Sequence, residues 1–187
     1  MKQSQNKKTS WLRPRVLSIS RIHFIFVFSY TAQIVLFNAS NILTPYAVMQ
    51  RWIVAGLLLS INVFVWYIAK NKVTRTVTYK KLVFLMILAD IAMASFNVYV
   101  QRGMASKAVA LYAIPIVVSA ILASRSALIA TSTLCIIAYT TTSISYFVLN
   151  FNEGYKAELY GEIATYSVLF IVLALLLWTV VRHNHSE

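Results

Sequence analysis

The sequence predicts an all-α membrane protein, a polytopic bundle of six transmembrane helices with both termini in the cytoplasm. Three observations predict it. Of the 187 residues 59% are hydrophobic and the mean hydropathy is +0.70, against about 45–50% apolar in soluble domains. The apolar residues gather into six runs, each close to the ~20 residues that cross a ~30 Å hydrocarbon core. Lys and Arg sit at the ends of those runs and divide unequally between the two sides.

The chain begins with a polar, basic segment, 1–21, carrying Lys2, Lys7, Lys8, Arg13, Arg15 and Arg21. Trp11, Leu12, Val16, Leu17 and Ile19 are interleaved with these charges, a pattern that fits either a segment lying on an anionic membrane surface or a disordered tail. The first helix is expected from about Ile22 to Ala39. It is too long and aromatic for a signal peptide, and no A-x-A-like site follows it. A loop with Asn41 and Pro45 leads to the second helix, about Trp52 to Ala69. The basic loop Lys70 to Lys81 precedes the third, about Leu82 to Val100. A short loop, Gln101 to Lys107, carries Gly103.

The fourth helix, about Ala108 to Ala123, is the shortest and contains Pro115, which removes a backbone donor and predicts a kink. Only Ser124, Arg125 and Ser126 separate it from the fifth, about Ala127 to Leu149. A loop with Glu153, Gly154, Lys156 and Glu158 leads to the sixth, from about Ala164, or nearer Leu159, to Val181. Barrel strands alternate apolar and polar residues, whereas Val168 to Val181 is almost continuously apolar, so helices are favoured. The organisation is thus a basic cytoplasmic tail at 1–21, a six-helix transmembrane domain at 22–182 and a short cytoplasmic tail at 183–187.

Lys and Arg favour the cytoplasmic side. With the amino terminus inside, thirteen lie inside: the six of the tail, Lys70, Lys72, Arg75, Lys80, Lys81, Arg125 and Arg182. Four lie outside: Arg51, Arg102, Lys107 and Lys156. Trp66, Tyr67, Tyr79 and Trp178 then fall at the inner interface, and Tyr46, Trp52, Tyr99, Tyr155 and Tyr160 at the outer one, where amphipathic rings settle. The net charge of +12 therefore reads as a topology signal and not as a nucleic-acid surface. The single cysteine, Cys135, cannot form an internal disulfide and reads as a small packing residue.

Asp90 is the one carboxylate expected deep in the membrane, about 12 Å from the inner end of the third helix. A bare charge there costs at least ~2.5 kcal/mol, so Asp90 should be protonated or paired and face the bundle. Asn97 and Gln101 share its helical face, with the small Ala94 between. Asp90, Asn97 and Gln101 form either a polar stripe leading to a buried acid or a set of interhelical hydrogen bonds, each worth about 0.6 kcal/mol. Candidate partners for Asp90 are Asn62, Tyr30, Gln33 and the hydroxyls of helix five. No basic residue reaches comparable depth, which favours a neutral Asp90.

Helix five carries Tyr139, Thr140, Thr141, Thr142, Ser143, Ser145 and Tyr146. Such hydroxyls line a polar cavity or make a packing seam, and they are cheap in a membrane because Ser and Thr bond their own helix. Glu158 and Glu162, one turn apart, read as solvated or as part of an ionic vestibule. His183 and His185 lack the companions of a metal site. H-E-x-x-H, G-x-S-x-G, P-loop and C-x-x-C motifs are missing, and no histidine sits beside Asp90 in depth, so neither catalysis nor a cofactor is expected.

From Asp90 to about Leu149 the chain resembles the six-helix amino-terminal membrane region of bacterial sensor histidine kinases, especially the type IV pilus sensor group. Asp90-Ile91, Gly103 with Ser106, the stretch Leu111 to Val117 with Pro115-Ile116, and Ser124-Arg125-Ser126-Ala127-Leu128 carry the resemblance. The usual double glycine is here Arg102-Gly103. The tail Arg182 to Glu187 stands where the family continues into its dimerisation helix and kinase, and His183 lacks a phosphoacceptor context. The resemblance implies a sensory or interaction module of a bacterial cytoplasmic membrane, without its output domain, embedded in the lipid bilayer. It would act through a membrane or cytoplasmic signalling partner and be compatible with a homodimer, with no role for nucleic acid. A small-solute transport component, such as the substrate-capturing subunit of a vitamin transporter, and a structural membrane protein are the alternatives.

Overall fold

The computed structural model describes residues 12–71, 76–103, 106–150 and 156–183. The expected features at 1–11, Lys72, Arg75, Glu153, Gly154, Tyr155 and the tail 184–187 with His185 lie outside them. Six α-helices form among the described residues: α1 Leu12–Ala39, α2 Pro45–Lys70, α3 Thr76–Val100, α4 Ala113–Ala120, α5 Arg125–Asn150 and α6 Lys156–His183. All but α4 are apolar and long enough to cross a membrane. Their outward surfaces carry Ile22, Phe28, Leu57, Phe64, Ile137, Leu175 and many other large apolar side chains, each roughly half or more exposed. In water such a surface would be a severe liability, so the chain is a multi-pass membrane protein in contact with lipid.

Several helices begin earlier than the apolar runs. α1 starts at Leu12, ten residues before Ile22, and its 28 residues span about 42 Å. The basic segment from Leu12 to Arg21 is therefore helical; Pro14, in the first turn, needs no backbone donor there. α2 starts at Pro45, not Trp52. Thr44 is its N-cap, accepting the Ala47 N–H at 3.3 Å, and Pro45 supplies the preset first helical residue. The ends of a spanning helix lie in the polar headgroup zone, where hydropathy fades but backbone hydrogen bonding continues.

The chain divides within α3 into two compact units, Met1–Met86 and Ile87–Glu187. In the first unit α1 and α2 pack as a hairpin. α1 buries Leu12, Val16, Ser20, His23, Val27, Tyr30 and Ile34, and α2 buries Arg51, Ala55, Leu58, Asn62, Val65 and Ala69. Both sets recur at alternating spacings of three and four, the seam of left-handed helix pairing. The turn between them closes on Asn41 at φ 53°, with the Ile42 N–H reaching back to Phe37 O at 3.0 Å, a left-handed cap. At the opposite end Arg13 donates through Nε to Ala69 O and through a terminal nitrogen to Lys70 O, both at 3.0 Å, satisfying carbonyls that α2 leaves open.

In the second unit the expected fourth helix is replaced by two pieces. Residues Lys107–Tyr112 form a 3-10 helix and only Ala113–Ala120 are α-helical. Pro115 falls in the first turn of α4, where its missing N–H is no loss, so it starts a helix and does not kink one. α4 packs against both α5 and α6, and α5 against α6.

Candidate functional site

α3 turns Asp90 and Asn97 inward, to 3% and 2% exposure, as the shared helical face predicts. Gln101, at the end of this stripe, is half-buried. The amides serve local ends. Asn97 donates from Nδ2 to Met93 O one turn back at 2.9 Å, and Gln101 Oε1 accepts from the Ser106 hydroxyl at 3.4 Å, tying the turn after α3 to itself. In that turn Arg102 and Gly103 both have positive φ, 76° and 64°. Gly103 packs on Tyr146 so closely that a Cβ would stand 2.8 Å from the ring.

The residues around this stripe are ones the sequence did not single out as a group. Ser95 donates to Ile91 O and shares a 2.8 Å hydrogen bond with the Tyr112 hydroxyl. Tyr112 comes from the 3-10 segment, and its carbonyl receives the buried Cys135 thiol at 3.7 Å. Cys135 in turn lies within electrostatic reach of Asp90. Around Tyr112 gather Tyr139 and Phe170, with ring centroids 6.0 and 5.7 Å away, and Tyr166 meets Tyr139 at 5.4 Å. Edge-to-face contacts of this kind add to the burial energy. The Ser132 hydroxyl joins α5 to α6 through Phe170 O at 3.1 Å.

The hydroxyl-rich stretch of α5 splits by face. Tyr139 and Ser143 are buried, whereas Thr141 and Ser145 are exposed. Tyr139 Oη and Ser143 Oγ are neighbours, but neither has a well-formed hydrogen bond to a described group. The signal that could have found this core is the spacing Cys135, Tyr139, Ser143, one residue per turn on one face.

Of the candidate partners of Asp90 in the first unit, Asn62 is engaged with Ser20. Asn62 Oδ1 accepts from Ser20 Oγ at 2.8 Å, and its Nδ2 donates to Ser20 O at 3.0 Å, a reciprocal lock between α1 and α2. Tyr30 lies on the buried face of α1 and Gln33 on its exposed face. His23, which hydropathy places at the rim of the first run, is buried, with Nδ1 3.2 Å from Ile19 O. Arg51 is buried too, its guanidinium 5.9 Å from the centre of the Phe37 ring. Glu158 and Glu162 are exposed along α6.

Among the described residues no three His, Cys, Asp or Glu side chains come together as metal donors. The second unit therefore offers a buried acid, Asp90, and hydroxyls, a thiol and aromatic rings gathered around Tyr112. Comparisons of the chain with protein-family models, curated proteins and solved structures give no match.

Proposed function

We propose that the chain is a sensory or interaction module of the bacterial cytoplasmic membrane, with six crossings and both ends in the cytoplasm. The observation that carries the topology is the path of residue 103 and residues 106–123 beside α5. Gly103 packs on Tyr146, the Tyr112 carbonyl meets Cys135, and the chain reverses at Ala123, φ 48°, into the Ser124 hydroxyl that caps α5. From Arg125 to Tyr146 α5 rises about 32 Å, close to the ~30 Å of a hydrocarbon core. The broken segment thus has the reach of a sixth crossing, although its α-helical part has only 8 residues. Irregular backbone at membrane depth is tolerated where protein covers it, and Ala108, Val109, Tyr112 and Ile116 are buried.

The residues that resemble the sensor kinase region support the functional half of this reading. Asp90 is buried, Gly103 makes the tight left-handed contact, Pro115 starts α4, and Ser124 caps α5. Each has a structural task in this fold. No catalytic role is proposed for any residue. The message would leave through the cytoplasmic loop after α2 or the end of α6, toward a signalling protein.

Reporter fusions at Lys72 and Glu187 should read inside and one at Glu153 outside; an outside reading at Glu187 overturns the six crossings. Single cysteines at Arg75, Arg182 and Asn184, in a Cys135→Ala background, should cross-link in native membranes to one signalling protein. Substrate uptake by the purified, reconstituted chain alone would overturn the module in favour of transport.

A further inference from the structure

Between α5 and α6 runs a cavity of about 310 Å³, open on its outer side and lined chiefly by apolar side chains, among them Ile129, Ile136, Ile171, Leu175 and Trp178, with Arg125 at one end. We propose that this groove holds an acyl chain of an anionic phospholipid whose phosphate is bound by Arg125. The inference is independent of the signalling role and of the number of crossings, because it uses α5 and α6 alone.

Its dimensions point to a lipid of one leaflet. From Arg125 to Ile136 the groove follows α5 for about 16 Å, roughly half of a ~30 Å hydrocarbon core. The floor is closed by Leu128 and Ala174, 1% and 4% exposed, while Ile129, Ile171 and Leu175 stand half-exposed along the opening. A guest therefore enters sideways from the bilayer, not from water.

Charge selects the headgroup. Arg125 is exposed, and Arg182 lies one turn beyond Trp178 on α6, so two cations flank an interfacial tryptophan at the groove mouth. The described carboxylates lie elsewhere. Asp90 belongs to α3 and does not line the groove, and Glu158 and Glu162 occupy the far end of α6 from Trp178. Glu153 and Glu187 lie outside the described residues. A phosphodiester in the headgroup zone meets both arginines, and Arg125 can bind it through two parallel N–H donors.

Native mass spectrometry of the full chain, titrated separately with phosphatidylglycerol and phosphatidylcholine carrying the same acyl chains, tests this. The wild type should retain phosphatidylglycerol preferentially. Arg125→Gln should reduce that preference about fivefold, the effect of one cation near a membrane surface, and Arg125→Lys should keep most of it. Ile171→Trp, which fills the groove from its half-exposed rim, should reduce retention of both lipids. Helical content by circular dichroism identifies any variant that has not folded, and Arg125→Lys together with Ile171→Trp still decides the matter if Arg125→Gln is lost that way. Unchanged lipid retention in Ile171→Trp overturns the site, as does an unchanged preference in folded Arg125→Gln. Dissociation of a dimer by Ile171→Trp, with lipid retention intact, would assign the groove to a second copy instead.

Discussion

The two units of the chain differ in charge but share a way of holding polar groups, each combining bonded and unbonded buried ones. The first, Met1–Met86, holds twelve Lys and Arg and no Asp or Glu, and so carries the entire net charge of +12. Its buried polar groups are matched in part: Ser20 pairs with Asn62 in both directions, whereas Arg51 Nε and the Tyr79 hydroxyl have no well-formed hydrogen bond to a described group. The second, Ile87–Glu187, holds Arg102, Lys107, Arg125, Lys156 and Arg182 against Asp90, Glu153, Glu158, Glu162 and Glu187, and is neutral. It buries Asp90, Asn97 and a group of tyrosines, and leaves the Tyr139 and Ser143 hydroxyls without well-formed bonds. A matched polar pair fixes one packing, whereas an unmatched one tolerates or awaits another arrangement. The difference teaches that the cations are gathered in the first unit, while bonded and unbonded buried polar groups occur in both.

The largest expected effect tests whether the second unit depends on its broken segment. Gly103→Ala adds a Cβ 2.8 Å from the Tyr146 ring at a φ of 64°. It should lower stability by about 2–3 kcal/mol, read as a fall in the thermal midpoint in detergent. A midpoint equal to that of the wild type would mean that Gly103 does not pack on Tyr146 as described.

Asp90 sharpens the contrast further. Asp90→Leu leaves the polar surroundings of a buried acid without their counterpart and should cost about 1–3 kcal/mol. Asp90→Asn keeps hydrogen-bonding atoms in place and should cost under about 1 kcal/mol. If Asp90→Asn abolished folding while Asp90→Leu folded normally, a buried position that needs hydrogen-bonding atoms would be the wrong description.

The smallest effects compare the units directly. Asn62→Leu removes the reciprocal lock of the first unit and should cost about 1 kcal/mol, since each such bond in a membrane is worth about 0.6 kcal/mol. Tyr139→Phe removes a hydroxyl that has no well-formed bond and should change stability by less than about 0.5 kcal/mol, or raise it slightly. Equal losses from Asn62→Leu and Tyr139→Phe, measured in the same thermal assay, would erase the distinction between these matched and unmatched polar groups.

The spans themselves were legible in the sequence because a run of about twenty apolar residues matches the thickness of a bilayer and little else in a protein. Their ends were not, and α1 shows why. From Leu12 to Arg21 the apolar residues are diluted by cations, so hydropathy drops, yet Leu12, Val16 and Ser20 already continue the spacing of the seam that meets α2. The broken segment Lys107–Ala120 was legible only as a short run with a proline. Whether Pro115 kinks a helix or starts one depends on the tighter winding of Lys107–Tyr112 just before it, which periodicity does not reveal. Asp90, Asn97 and Gln101 were found by their shared face, and the first two are buried. The engagement of Asn62 with Ser20 depends on which helices pair and in what register, a tertiary matter that no local pattern encodes.

The Ser20–Asn62 lock has a consequence for how the protein is made. Every partner that α1 and α2 use on each other lies within the first seventy residues. The hairpin can therefore assemble as soon as α2 has left the insertion machinery, at a synthesis rate of about 5–20 residues per second. Tyr112, by contrast, needs Ser95 from behind it and Cys135 and Phe170 from ahead. Its surroundings are complete only when α6 has been inserted, so for several seconds of each biosynthetic cycle the nascent chain exists as a finished hairpin followed by an unfinished bundle.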